Sequence, residues 1–123
     1  MQPLNVVLLQ SDSRAAQSLV SALANTFGSV HQVQSLGELR TSIAKHRARI
    51  AILDMEAASL SDIQHLSREF PKACIVCTHR LADEDMWTAA VNAGAVDVYP
   101  PSDTRGILRT ALQSVSMTQY ATA

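Results

Sequence analysis

Cysteine, net charge and long apolar runs are all scarce in this chain of 123 residues. The two cysteines, Cys74 and Cys77, lie inside one apolar run, Ala73-Cys-Ile-Val-Cys77, and in a strand positions three apart point to opposite faces. They are expected as small buried hydrophobes, not as a redox pair or half of a zinc site. No apolar run is long enough to span a bilayer, and Met1-Gln2-Pro3 leads straight into the first apolar run without the basic region of a signal peptide. A cytoplasmic protein with no membrane partner is the expectation. A net charge of -1, with 17% charged residues of both signs, leaves no basic face for nucleic acid and no polybasic stretch for anionic lipid.

Catalytic signatures are missing as well. The sequence has no Gly-x-Ser-x-Gly elbow, no phosphate-cradling glycine-rich loop and no Ser/His/Asp set that spacing picks out. His31, His46 and His65 share no ligand spacing. What remains fits one domain, large enough to bury about two thirds of its unfolded surface without disulfides or metals as struts.

What is present is an alternation. Short β-branched runs near 4–9, 30–34, 50–54, 74–78 and 96–99 alternate with longer amphipathic segments, the pattern of stacked βα units on a parallel sheet. Ala16, Leu19, Val20, Leu23 and Phe27 recur at helical spacing and Gly28 supplies a stop. Ser35-Leu-Gly-Glu38 and Ser61-Asp-Ile-Gln64 read as capping boxes for helices with stripes Leu36, Leu39, Ile43 and Ile63, Leu66, Phe70. A fourth helix follows the acidic cluster Asp83-Glu84-Asp85 and ends at Gly94, and a fifth starts near Ser102 or Asp103. Right-handed crossovers then predict a flavodoxin-like (βα)5 three-layer sandwich of strand order 2-1-3-4-5. Residues 1–116 form the domain, and 117–123 are a polar tail or the start of a linker.

Ligands of such sheets bind beyond the carboxyl ends of the strands, at the topological switch point. That rule gathers Gln10-Ser11-Asp12, Asp54-Met55-Glu56, Thr78-His79 and Tyr99-Pro100-Pro101 into one cleft. Asp54 stands out, because it closes the apolar run Ile50-Ala51-Ile52-Leu53 and so is delivered to that edge.

With these residues assembled, the chain resembles the receiver domain of bacterial two-component response regulators, from Asn5 to about Ser116. In that family an aspartate ending the third strand accepts a phosphoryl group, a Thr or Ser ending the fourth strand senses it, and Gly-Ala precedes the fifth strand. The matching residues are Asp54, Thr78 and Gly94-Ala95. Pro101-Ser102-Asp103 through Ile107-Leu108 resembles the family's Pro-x-Asp start of the last helix.

Two departures matter. The family's Mg²⁺-binding acidic pair is matched by Gln10-Ser11, and its lysine after the fifth strand falls on Pro100 or Pro101. Each lost electrostatic group costs a few kcal/mol in a transition state, or roughly two decades in rate. The resemblance therefore implies an atypical receiver: a signalling and interaction module, not an enzyme, with an impaired Mg²⁺-dependent phosphorylation site. No cofactor is expected, and Mg²⁺, if any, belongs at Asp54. An alternative keeps Asp54 as a working phosphoacceptor, with Asp12 and Glu56 as displaced metal ligands. Another treats the chain as the N-terminal part of a larger localisation ATPase or regulator.

His79 and Tyr99 form the rim, His79 placed to cover Asp54 or to donate to it. The family's switch aromatic matches Val98 in one register and Tyr99 in the other. The Pro100-Pro101 bond resembles a family Lys-Pro bond that is cis in many members. Implied partners are a histidine kinase, an effector domain or a second copy. A homodimer would use the fourth helix, fifth strand and fifth helix, with Met86 and Trp87 as candidate anchors.

Overall fold

In the computed structural model, which describes residues 4–122 and the side chains of 4–115, five parallel strands form one sheet. These are β1 (Leu4–Leu9), β2 (Gly28–Val33), β3 (Ile50–Asp54), β4 (Cys74–Thr78) and β5 (Asp97–Tyr99), in the order β2-β1-β3-β4-β5. The helices α1 (Ser13–Phe27), α2 (Leu36–His46), α3 (Leu60–Glu69), α4 (Glu84–Ala93) and α5 (Thr104–Thr122) alternate with them. The expected flavodoxin-like topology is the observed one.

Alternation along each strand divides the core in two. Val6, Leu8, Ile50, Ile52 and Val76 pack under α1 and α5, against Leu19, Leu23, Ile107 and Ala111. Val7, Leu9, Leu53, Ile75 and Cys77 pack under α2, α3 and α4, against Leu39, Ile43, Ile63 and Ala90. Buried on both faces, the central strands need continuous apolar runs, and each fully buried Leu or Ile contributes about 1.5–3 kcal/mol. Cys77 is buried, Cys74 is half-buried on the other parity of β4, and both are free. Burial pushes the Cys77 thiol up to about 12, so it is no nucleophile at neutral pH.

The helix starts are set by side chains. Asp12 Oδ1 accepts the N–H groups of Arg14 and Ala15 to start α1, and Ser35 Oγ accepts that of Glu38 to start α2. The capping box of α3 is built from Ser59 and Asp62, not from Ser61 and Gln64. Asp62 Oδ2 accepts the Ser59 N–H at 2.9 Å while Ser59 Oγ accepts the Asp62 N–H at 3.2 Å. Starting there brings Ile63 and Leu66 to the sheet. Asp83 caps α4, so the acidic cluster forms that helix's cap and first turn instead of preceding it.

Gly28, with φ 92°, ends α1 and opens β2 with no loop between them, so the strand starts two residues before the β-branched run. The polar segment expected as a tail continues α5 as far as Thr122. No cis peptide bond occurs among the described residues, so Pro100-Pro101 is trans. No helix among them is long and apolar enough to cross a membrane.

At the opposite edge from Asp54, the rings of His31 and His46 stack 3.7 Å apart and nearly parallel. His31 Nε2 meets Asn5 Oδ1 at 3.1 Å, an acceptor that fixes the imidazole proton on that nitrogen. Burial, then His46 and Lys45, hold His31 below its usual value of 6.5. The neutral form is thus the one that the fold prefers. Stability should be undiminished above pH 6.5 and fall as the pH drops through 6.5 toward the lower folded value. The urea midpoint is expected to fall between pH 7.5 and pH 5, and to fall less in His31→Gln. An equal drop in both proteins would remove His31 from the account.

Candidate functional site at the carboxyl edge of the sheet

Register brings the site together. Asp54 pairs with Thr78 across β3 and β4, and Thr78 with Tyr99 across β4 and β5. Asp54 and Thr78 are 2% and 0% exposed, and Gln10, one residue past β1, is 7% exposed. Three buried polar side chains at one sheet edge must find hydrogen-bond partners, and they do.

Asp54 Oδ2 accepts from the Ser11 backbone N–H at 3.0 Å and also from the Ser11 hydroxyl. Oδ1 accepts from the Glu56 N–H at 2.9 Å. Gln10 Nε2 donates to Thr78 Oγ1 at 2.9 Å, and Gln10 Oε1 accepts from the Asp12 N–H at 3.2 Å. The two residues that follow β1 are therefore donors to Thr78 and Asp54. Among the described residues no buried side-chain polar atom lacks a hydrogen-bond partner.

The resemblance to receiver domains implies a divalent cation beside Asp54, and the donor set here does not fit one. Mg²⁺ takes octahedral oxygen ligands, usually including one or two carboxylates. Gln10 and Ser11 are neutral and turned to Thr78 and Asp54. Asp12 Oδ1 is held by two backbone N–H groups of α1, and Glu56 lies 3.1 Å from Arg80 in an exposed ion pair. Among the described residues no group of three His, Cys, Asp or Glu side chains is arranged to hold a metal.

The rim residues face elsewhere. His79 Nδ1 accepts from the Leu81 N–H at 2.9 Å within its own loop, and its backbone N–H donates to the Tyr99 carbonyl. Pro100 and Pro101 line an open cleft of about 460 Å³ together with Asp12, Arg14, Arg80 and Ser102. Arg14 and Arg80 carry positive charge into this cleft, Arg80 as the partner of Glu56. Sequence reasoning passed over both, since neither lies in a motif.

Asp97 was passed over too. Its Oδ1 accepts from Trp87 Nε1 at 2.9 Å and from the Val98 N–H at 2.8 Å, and its Oδ2 from the Tyr99 hydroxyl at 3.1 Å. The Tyr99 hydroxyl also bonds Thr110 Oγ1, and the ring packs on the α5 side of the core. Burial, reinforced by Asp97, holds the phenol above its usual range. One carboxylate thus ties α4 and β5 together, and Tyr99 carries the link on to α5. An acid in a three-residue strand, with a tryptophan ten positions earlier, was the available signal. Of the candidate anchors, Met86 packs against the core, and Trp87 is 44% exposed.

Solved structures carry the same architecture. The signal receiver domain of a response regulator from Bacteroides fragilis superimposes with a TM-score of 0.81 at 21% identity, covering 92% of this chain and 97% of that one. A receiver domain protein from Methanospirillum hungatei gives 0.82 at 16% identity, over 98% and 99%. NtrX from Brucella abortus gives 0.85 at 12% identity, over 98% of this chain and 28% of that longer one. No family model matches the sequence, and no curated protein does. The fold is accordingly that of response-regulator receiver domains.

Proposed function

We propose that this chain is an atypical receiver: a cytoplasmic signalling module that works through protein contacts, not as an enzyme, and whose phosphorylation site is closed by its own side chains. The single observation that carries the reading is the occupation of both Asp54 carboxylate oxygens by Ser11 and Glu56 donors, with Gln10 holding Thr78. Phosphoryl transfer depends on positioning and charge neutralisation at the acceptor. Here the acceptor's charge is met by internal donors, and no lysine stands beside it. Its state would be set by a partner such as a kinase, an effector domain or a second copy.

Titration with Mg²⁺ and beryllofluoride, read by amide NMR, tests this. The expected result is no saturable change around Asp54 and Thr78 at low millimolar concentration. Saturation that disappears in Asp54→Asn would overturn the closed-site reading and favour Asp54 as a working acceptor, with Asp12 and Glu56 holding the metal.

A homodimer through α4, β5 and α5 is supported by Trp87, Val96 and Leu112, which are 44%, 43% and 46% exposed on or beside those elements. Exposed large apolar side chains, an aromatic among them, are anchors of the kind interfaces use. Light scattering is expected to give a mass that rises with concentration for the native protein and stays monomeric for Trp87→Ala. Monomers throughout would dismiss the dimer.

A further inference from the structure

At the opposite end of the sheet from Asp54, a concavity of about 500 Å³ opens between the C-terminal ends of α2 and α3. Ile43, Ala44, Phe70 and Pro71 form an apolar floor, and Arg47, Arg49 and Lys72 stand around it. A shallower concavity of about 330 Å³ shares Ala44, Glu69 and Phe70 and extends the trough along α2 to Gly37. The one acid in the lining, Glu69, is already neutralised, since Arg40 holds both its oxygens at 2.9 Å. Among the described residues Arg47, Arg49 and Lys72 have no ion-pair partner. In a chain of net charge -1, three uncompensated cations around an apolar floor are a marked local segregation of charge.

Arg47 adds an independent observation. It follows the last turn of α2 with φ 51° and ψ 48°, the only non-glycine residue of positive φ among those described. Glycine is the residue that takes this position without steric cost. A side chain carried at a strained backbone position points to a use for it, and Arg47 lines the concavity.

We infer that the trough docks an acidic amphipathic segment of a partner protein. An apolar side chain seats on Phe70, Pro71 and Ala44, and carboxylates on either side of it meet Arg47, Arg49 and Lys72. A nucleic acid or an anionic lipid surface would engage the cations and leave the apolar floor unused. The trough lies away from Asp54, so the inference holds whether or not that residue is phosphorylated.

The probe is a short fluorescein-labelled peptide alternating Glu with Leu and Phe, titrated into the full chain and read by polarisation and by amide NMR. Saturable binding is expected, with shifts at Ala44, Phe70 and Ala73, weakened roughly tenfold or more by Arg47→Gly combined with Lys72→Glu. Arg47→Gly alone is expected to weaken binding without lowering the thermal midpoint, which separates loss of docking from loss of fold. Equal binding of an all-Glu peptide, tighter binding of a short DNA duplex or of phosphatidylserine vesicles, shifts confined to other surfaces, or no binding at millimolar peptide would each overturn the inference.

Discussion

Asp54→Asn is expected to lower folding stability by about 2–3 kcal/mol, and Asp54→Ala by about 3–4 kcal/mol, because the carboxylate is the acceptor for three donors at a buried edge. In either orientation an Asn amide group turns its N–H toward a backbone N–H, that of Ser11 or that of Glu56. One donor is then left facing another, and the desolvation of that group is uncompensated. Alanine strands all three. Were the site a crowd of carboxylates, removing one charge would relieve repulsion and stabilise the chain, so the sign of the change decides between the two electrostatic pictures. Urea unfolding at pH 7 measures it. An Asn variant as stable as the native protein would mean that the Ser11 and Glu56 bonds contribute nothing.

Gly94→Ala should be a damaging change as well, at about 2–5 kcal/mol. Gly94 caps α4 with φ 122°, a conformation that L side chains rarely adopt. A Cβ there would also lie 2.5 Å from Ser67 Cβ and 2.3 Å from Ser67 Oγ. Backbone strain of about 1–2 kcal/mol adds to overpacking of about 1–3 kcal/mol between α3 and the turn into β5. Ser67→Gly in the same chain removes the contact but not the strained dihedral, so only part of the loss should return. Thermal unfolding of the single and double variants separates the two contributions. Full recovery would assign the whole cost to packing.

The fold was legible because its determinants are local and repeat. Buried parallel strands require continuous apolar runs, and Val6 to Leu9, Ile50 to Leu53 and Ile75 to Cys77 supply them. Helix ends were legible to within a few residues. Ser59 and Ser61 are both serines just ahead of the same stripe, and it is the reciprocal bonding of Ser59 with Asp62 that decides between them. The extension of α5 to Thr122 has a plain cause as well: after Gly106 the sequence contains neither glycine nor proline to stop a helix.

Which residues meet at the carboxyl edge was legible and their wiring was not. Gln10 and Ser11 follow β1 directly and so could be placed at that edge. That they would turn inward and take up the hydrogen-bonding capacity of Thr78 and Asp54 depends on how the ends of three strands align, which no local pattern encodes. Asp97 escaped notice for a related reason. Its donors come from α4 and from β5 itself, and only packing brings the indole and the phenol to the same carboxylate.

The uneven roofing of the sheet, two helices on one side and three on the other, sets what the last helix is able to do. α1 and α5 alone shelter Ile50, Ile52 and Val76, so α5 cannot detach to signal without flooding half the interior with water. Any movement of α5 must therefore keep its buried face seated on the sheet, and the Tyr99 to Thr110 bond clamps it there.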